Sequence, residues 1–367
     1  MSRGIVVLAA GGTGGHLFPA QALAEVLVKR GFHVHLMTDE RVRGYGKDFP
    51  AEQVHVIPSA SPSFSKPWLL PMRMLRLYNG YQAAKRALTA LKPVAVIGFG
   101  GYPSFPPLLA ARSLKIPTAV HEQNAVMGRA NGFLAARVNA IATSFKEVQG
   151  IAEAAKDKVT YTGNPVRAIA MAEAASPYTV PKEYGPFQLV VFGGSQGAKF
   201  FSEFMPQVAA GMTPDSRKRL RLVQQCRTED VKSVQAAYDK LGLTAELHSF
   251  FSDMPKRLAN AQLVVCRSGA SSIAELGVIG RPAVLVPLPH AIDNDQLKNA
   301  QAFSTAGAGW VFPQWELQPL EFASFLSRLM ADGAGLKKAA DQALKQGVPD
   351  AAERLANLVE ELSLQAA

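Results

Sequence analysis

Short apolar runs of strand length alternate with stretches whose apolar residues recur at helical spacing, and glycine clusters stand at several junctions. Gly4-Ile5-Val6-Val7-Leu8-Ala9-Ala10 is apolar throughout, the pattern of a parallel strand buried on both faces. Gly11-Gly12-Thr13-Gly14-Gly15-His16 follows it. Pro19 to Arg30 then reads as a helix closed by Gly31, and His33 to Met37 as the next strand. This is a βαβ unit with a glycine loop at its first strand–helix turn. The pattern recurs about half the chain later. Phe187 to Phe192 is a strand, Gly193-Gly194-Ser195-Gln196-Gly197-Ala198 a loop, Phe200 to Gly211 a helix and Leu220 to Gln225 a strand. Two doubly wound α/β domains with parallel sheets follow from that duplication.

Further strands are predicted at Ala95 to Ile97, Thr118 to His121, Ala140 to Thr143, Leu263 to Cys266 and Ala283 to Val286. The boundary is expected at Gly163-Asn164-Pro165-Val166-Arg167, ahead of an Ala- and Pro-rich stretch, which gives domains 1–166 and 167–347. A last helix is expected from about Asp350 to Leu364, with Asp350 as N-cap and Leu355, Leu358, Val359 and Leu362 on one face.

Composition narrows the function classes. Apolar residues make up 48% of the 367 positions and charged residues 19%, a globular balance. The net charge of +10 favours anionic partners, but no run of five or six basic residues marks a nucleic-acid tail. Cys226 and Cys266 form no zinc or redox spacing, in keeping with a reducing compartment. No secretory signal opens the chain. The uncharged stretch Pro93 to Ala111 nears spanning length, yet four prolines and three glycines break it into strand, loop and helix start.

A glycine loop before a helix exposes backbone N–H groups and the positive end of the helix dipole, which suits a diphosphate. Neither loop has the dinucleotide G-x-G-x-x-G spacing or a P-loop Gly-Lys-Ser/Thr, which counts against NAD and ATP chemistry. Thr13 and Ser195 stand at equivalent places, each able to cap its helix or reach a phosphate. His16 is expected in the first helical turn beside the phosphate site. Imidazole has an unperturbed pKa of about 6.5, suited to general-base work, so His16 is the candidate base, with Glu122 and Asp39 as alternatives. Asp293-Asn294-Asp295 has the form of a metal-binding D-x-D, but reads better as a polar helix start with Asp293 as N-cap. Ser272-Ile273-Ala274-Glu275 has the form of a capping box, which alone would explain both polar residues.

Six segments in order resemble the signatures of the MurG family of N-acetylglucosamine transferases. They are Gly11 to Ala20, Gly98-Phe99-Gly100-Gly101-Tyr102-Pro103-Ser104, His121-Glu122-Gln123-Asn124, Gly163 to Arg167, Gly193 to Ala198, and Cys266-Arg267-Ser268-Gly269-Ala270 leading to Glu275. The resemblance implies a GT-B fold, two Rossmann-like domains facing a central cleft, with the C-terminal helix (about 348–367) packed back on the N-terminal domain. It implies a peptidoglycan-synthesis enzyme, with roles in cell wall biogenesis, cell shape and cell division. The donor would be UDP-N-acetylglucosamine, and the sugar would pass with inversion to the 4-hydroxyl of N-acetylmuramyl-pentapeptide on undecaprenyl diphosphate. No cofactor and no metal is implied.

Carried over position by position, Thr13, Gly14 and Gly15 lie near sugar and acceptor diphosphate. Asn124 and Gln296 match residues that contact the donor sugar, and Arg167 and Ser195 match residues near the nucleotide diphosphate. The resemblance would also put Phe251 at the uracil, Ala270, Ser271 and Ser272 in the nucleotide-contacting turn, and Glu275 on the ribose hydroxyls. Some members carry Gln-Gln where this chain has Asp295-Gln296, so no role passes to Asp295. A related transferase, a UDP-sugar epimerase with another acceptor, or a non-catalytic nucleotide-sugar binder are the alternatives.

Lys66 to Tyr78 mixes large apolar residues with three cations and no acid. After Pro71 it can form a helix bearing Met72, Leu75 and Tyr78 on one side, near Arg73 and Arg76. With Trp68 and Leu69 this surface suits an anionic membrane interface, though a core helix with two exposed arginines has the same pattern. A peripheral position on the cytoplasmic face of the plasma (inner) membrane follows from that reading and from the lipid-linked acceptor. Protein partners are not legible in the sequence.

Overall fold

The computed structural model describes residues 3–365 apart from 12–13, 42–48, 61–66, 175 and 290; of residues 67, 195–198 and 292 it describes the backbone alone. The chain divides into two compact units, Met1–Arg167 with Val348–Ala367, and Ala168–Gly347.

The N-terminal unit opens with β1 (Ile5–Ala9), α1 (Gly14–Lys29), β2 (His33–Thr38) and β3 (Gln53–Val56). It continues through α2 (Leu70–Leu91), β4 (Ala95–Gly98), α3 (Gly101–Ser113) and β5 (Thr118–Glu122). Then come α4 (Arg129–Ala135), β6 (Ala140–Thr143) and β7 (Val159–Tyr161). The seven strands run parallel in the order β3-β2-β1-β4-β5-β6-β7. Successive side chains of β1 serve opposite faces, as the strand period demands. Val6 and Leu8 pack with Leu23 and Leu27 of α1, while Val7 and Ala9 pack with Leu88 of α2 and Leu108 of α3. A strand covered on both sides must be apolar throughout, which explains the uninterrupted run in the sequence.

The second unit begins with α5 (Ala168–Met171), β8 (Phe187–Phe192), α6 (Gly194–Gly211), α7 (Pro214–Arg219) and β9 (Leu220–Gln225). It proceeds through α8 (Val231–Lys240), β10 (Thr244–His248), α9 (Met254–Asn260), β11 (Leu263–Cys266) and α10 (Ala270–Ile279). It ends with β12 (Ala283–Leu285), α11 (Asp295–Thr305), β13 (Gly309–Val311), α12 (Pro319–Ala331) and α13 (Gly333–Gln346). Six parallel strands are ordered β10-β9-β8-β11-β12-β13. Phe187, Leu189 and Val191 pack with Phe201, Phe204 and Phe322 in one large cluster.

The last helix, α14 (Ala351–Leu364), rejoins the N-terminal unit, burying Leu355, Leu358, Val359 and Leu362 against α1. Asp350 precedes it as expected but makes no capping bond; its carboxylate pairs with Arg354 at 2.8 Å instead. The two glycine-loop helices also start earlier than the pattern suggests. Pro19 marks an N1 position by composition, yet α1 begins at Gly14 and carries Pro19 inside, where its missing N–H leaves a ladder position empty. Starting in the glycine loop brings His16 into the first turn.

Candidate active site

In each sheet the strand order reverses direction beside the first strand of the unit: between β1 and β4, and between β8 and β11. Ligands of open parallel sheets bind outside the carboxyl ends of strands at such switch points. Gly14, Gly15 and His16 follow β1, and Ala270, Ser271 and Glu275 follow β11, beside these switch points.

In the N-terminal unit the loops after β1, β4 and β5 converge. His16, on the first turn of α1, places Nδ1 3.1 Å from Gln123 Oε1. Gln123 follows β5, and its amide nitrogen lies 2.9 Å from both the Nδ1 and the backbone oxygen of His121. His121 is fully buried at the end of β5, with Nε2 3.1 Å from the Gly163 carbonyl oxygen. Burial pulls its pKa down to about 4, and the nearby His16 adds to the effect, against the opposing pull of the Gly163 carbonyl. Gly100 and Gly101 carry φ of +82° and +67°, and a Cβ on Gly101 would stand 3.4 Å from His16 Nε2. The left-handed backbone and the clearance beside the imidazole both call for glycine at this turn.

Glu122 points elsewhere. It is buried, with Oε1 accepting from Asn124 N (3.0 Å) and Nδ2 (3.3 Å), and Oε2 accepting from Gly128 N (3.0 Å) and Asn131 Nδ2 (2.8 Å). A carboxylate holding four donors braces the 123–128 loop, and taking a proton would break that bracing. Asp39 is likewise engaged, bound by the Arg41 backbone N–H and guanidinium. The geometry favours His16 over both alternatives.

Asn124 is held by Glu122 at the start of that loop. Arg167 stacks its guanidinium on the Phe18 ring of α1 at 4.3 Å. Just upstream, both side-chain polar atoms of Asn164 are buried with no partner among the described residues, an unusual expense for a side chain with no ligand to meet. Gly14 and Gly15 open α1. Thr13 lies outside the described residues, as does the side chain of Ser195.

In the second unit α6 opens directly in the glycine loop, with Gly194 at φ +65° and its N–H donating to Gln225 Oε1 at 3.0 Å. The loop after β11 leads to α10, whose N-cap is Gly269, with no side-chain capping bond. The capping box expected at Ser272 and Glu275 is therefore not formed: Ser272 already lies inside the helix and Glu275 more than a turn beyond its start. Ala270 is buried at the first helical position. Ser271 Oγ is buried without a partner among the described residues, one turn before Glu275 on the same helix face. Arg267, its pKa drawn down to about 10 by burial, ties this turn to the next loop by donating to the Val286 and Pro287 carbonyls (3.0 and 3.1 Å).

Gln296, on the first turn of α11, accepts from Leu288 N with Oε1 at 3.0 Å, while its backbone oxygen accepts from Ser268 Oγ at 2.8 Å. Asp293 is not the N-cap expected of it. It sits at φ +59° in a left-handed turn, followed by Asn294 at +54°, and α11 begins at Asp295. Consecutive left-handed non-glycine residues are strained and gather at functional sites. Among the described residues no group of three or more His, Cys, Asp or Glu is placed to hold a metal ion.

Phe251 turns inward under Arg257 (4.4 Å) and His248, whereas its neighbour Phe250 is 72% exposed. The resemblance points to Phe251 and gives no role to the exposed Phe250 beside it.

The segment Trp68 to Tyr78 lies on the surface. Trp68 is 72% exposed, Met72, Leu75 and Tyr78 about as open, and Arg73 and Arg76 lie among them, with Leu69 half-buried. The reading as a core helix is excluded, because the apolar side chains themselves face solvent. Only the second half of α2 docks, through Gly80, Ala84 and Leu88. At Gly80 a Cβ would stand 1.9 Å from the Pro58 carbonyl oxygen, so the helix can approach only where it has none. Among the described residues no helix is long and apolar enough to cross a membrane.

Residues 6–143 match the glycosyltransferase family 28 N-terminal domain, and 188–355 the C-terminal domain of the same family. Over 363 residues the chain is 51% identical to the UDP-N-acetylglucosamine–N-acetylmuramyl-(pentapeptide) pyrophosphoryl-undecaprenol N-acetylglucosamine transferase of Rhizobium etli, covering 99% of this chain and 96% of that one. The enzyme of the same name from Sinorhizobium fredii is also 51% identical over the same coverage. Among solved structures, Acinetobacter baumannii MurG superposes with a TM-score of 0.79 at 29% identity, covering 98% of this chain and 99% of that one. The calicheamicin glycosyltransferase, at 18% identity and a TM-score of 0.67 over the whole of both chains, shares the fold.

Proposed function

The chain belongs to glycosyltransferase family 28, and from that membership we propose that it transfers N-acetylglucosamine from UDP-N-acetylglucosamine to the 4-hydroxyl of N-acetylmuramyl-pentapeptide on undecaprenyl diphosphate. The product is the disaccharide lipid precursor of peptidoglycan. The observation that carries this is the 51% identity to curated transferases of that activity across nearly the whole chain.

The chemistry is a single displacement. His16 Nε2 takes the proton of the acceptor hydroxyl as its oxygen attacks the anomeric carbon from the face opposite UDP. The bond from that carbon to the diphosphate oxygen breaks, UDP leaves with the electron pair, and the configuration inverts. The departing charge needs preorganised donors. The N-termini of α6 and α10 offer backbone N–H groups and positive dipole ends, and Arg167 is a cation suited to a diphosphate. Ser271 and Glu275 are suited to the nucleotide, Asn124 and Gln296 to the donor sugar. UDP release with UDP-N-acetylglucosamine is expected to depend on a short-chain muramyl lipid analogue; release at the same rate without it overturns the acceptor assignment.

The acceptor is anchored in lipid, and the open apolar face of Trp68, Met72, Leu75 and Tyr78 with its flanking arginines suits the interface of an anionic bilayer. The enzyme would then work peripherally, at the cytoplasmic face of the plasma membrane. Removing two interfacial side chains, each contributing about 1.5–3 kcal/mol when buried, should weaken binding about 10-fold or more. Cosedimentation of the Trp68→Ser, Leu75→Ser double variant with phosphatidylglycerol vesicles reads this; unchanged binding sinks the membrane assignment.

A further inference from the structure

We infer that Gln123, itself held by His121, is a positioning residue that fixes the tautomer of His16, keeping the proton on Nδ1 and the lone pair on Nε2. The inference deepens the assignment of His16 as base and rests on it for its catalytic consequence.

Two backbone carbonyl groups, which can only accept, fix the polarity of the chain of bonds. The Gly163 oxygen, 3.1 Å from His121 Nε2, requires a proton on that nitrogen. The Ser144 hydroxyl lies at 3.5 Å from the same nitrogen, too far to displace the carbonyl. His121 is fully buried and titrates at about 4, so near neutral pH it holds one proton only, and its Nδ1 must accept. The donor is the Gln123 amide nitrogen at 2.9 Å. That nitrogen also donates its second hydrogen to the His121 backbone oxygen at 2.9 Å. Rotating the amide by half a turn would set its oxygen against both acceptors, so the orientation is determined by the bonds and is no free choice. Oε1 is then left facing His16 Nδ1 at 3.1 Å, and an amide oxygen can only accept. His16 must carry its proton on Nδ1.

Its Nε2 is therefore unprotonated and available. No partner faces Nε2 among the described residues, and it lies beside Gly101 at the carboxyl end of β4, where a side chain would crowd it. The result is a relay of fixed polarity: His16 donates to Gln123, Gln123 donates to His121, and His121 donates to a backbone carbonyl. The pattern follows the logic by which a buried orienting group holds a catalytic imidazole in its productive tautomer, although the orienting group here is a neutral amide.

The test uses the intact protein labelled with 15N-histidine. Two-bond 1H–15N spectra near neutral pH are expected to show His16 protonated on Nδ1 and His121 on Nε2. A Gln123→Met variant is expected to release His16 to protonation on Nε2 and to lower kcat by about 100-fold, with the KM for UDP-N-acetylglucosamine little changed. A purely packing role for Gln123 would leave the His16 tautomer in place, and so would overturn the inference. His16 protonated on Nε2 in the unsubstituted protein overturns it without recourse to any variant. A reversed tautomer with unchanged kcat supports the positioning but overturns His16 as the base, so the two failures are distinct.

Discussion

A His16→Ala enzyme should bind UDP-N-acetylglucosamine normally and turn it over about 10²- to 10⁴-fold more slowly, the range that a positioned general base contributes. The loss should fall on kcat, because the imidazole is needed where the hydroxyl proton is in flight and not where the nucleotide is held. Glu122→Gln supplies the contrast. Both Glu122 oxygens accept, from Asn124, Gly128 and Asn131. A glutamine presents an NH2 to one of these donor sets and leaves a buried donor unsatisfied, at a cost of about 1–3 kcal/mol of stability. Thermal unfolding and steady-state kinetics on the two variants separate them. His16→Ala should keep its Tm and lose kcat, whereas Glu122→Gln should lose Tm. Were Glu122→Gln to keep its Tm while losing kcat as far as His16→Ala, Glu122 and not His16 would hold the base role.

That contrast marks where the sequence ceased to be informative. The segment His121-Glu122-Gln123-Asn124 is visible as a motif, and Glu122 stands in it as a plausible base. Composition cannot tell a carboxylate aimed at substrate from one aimed at its own loop. The difference lies in Gly128 and Asn131, which come within reach only because α4 packs back along β5. His121 and Gln123 drew no role for the same reason: their partners, Gly163 and His16, are 42 and 107 positions away. The central strands were legible because strands buried on both faces must be apolar, so β6 and β11 coincide with their apolar runs residue for residue, while β9, Leu-Arg-Leu-Val-Gln-Gln, shows the alternation of a half-covered strand. The edge strands β3 and β10 are largely exposed, lack that signature and went unseen. The helix starts shifted because α1 and α6 begin inside the glycine segments, at Gly14 and Gly194, and glycine carries no propensity that announces a helix. For α2 the spacing of Met72, Leu75 and Tyr78 marks one helix face, but periodicity cannot say whether a face meets protein or solvent; the structure leaves all three exposed.

Glu275→Ala is expected to raise the KM for UDP-N-acetylglucosamine and weaken UDP binding by about 100-fold or more, with kcat at saturating donor much less affected. A carboxylate binding a pair of ribose hydroxyls makes charged hydrogen bonds, each contributing about 1.5–3 kcal/mol, and these are present in ground and transition states alike. The rival account of Glu275 was structural: as the fourth member of a capping box it would hold the start of α10, and its loss would lower Tm. The helix start answers that account. Its N-cap is Gly269 with no side-chain capping bond, so there is no box for Glu275 to complete. Alanine is also the better helix former at an interior position, so removing the carboxylate should not unwind α10. Ser271 adds an independent sign that this face awaits a ligand, its buried hydroxyl having no partner among the described residues. Calorimetric titration with UDP and a melting curve on one preparation decide the matter. Weakened binding at an unchanged Tm assigns Glu275 to the nucleotide, and a lowered Tm with unchanged UDP affinity removes it from the site.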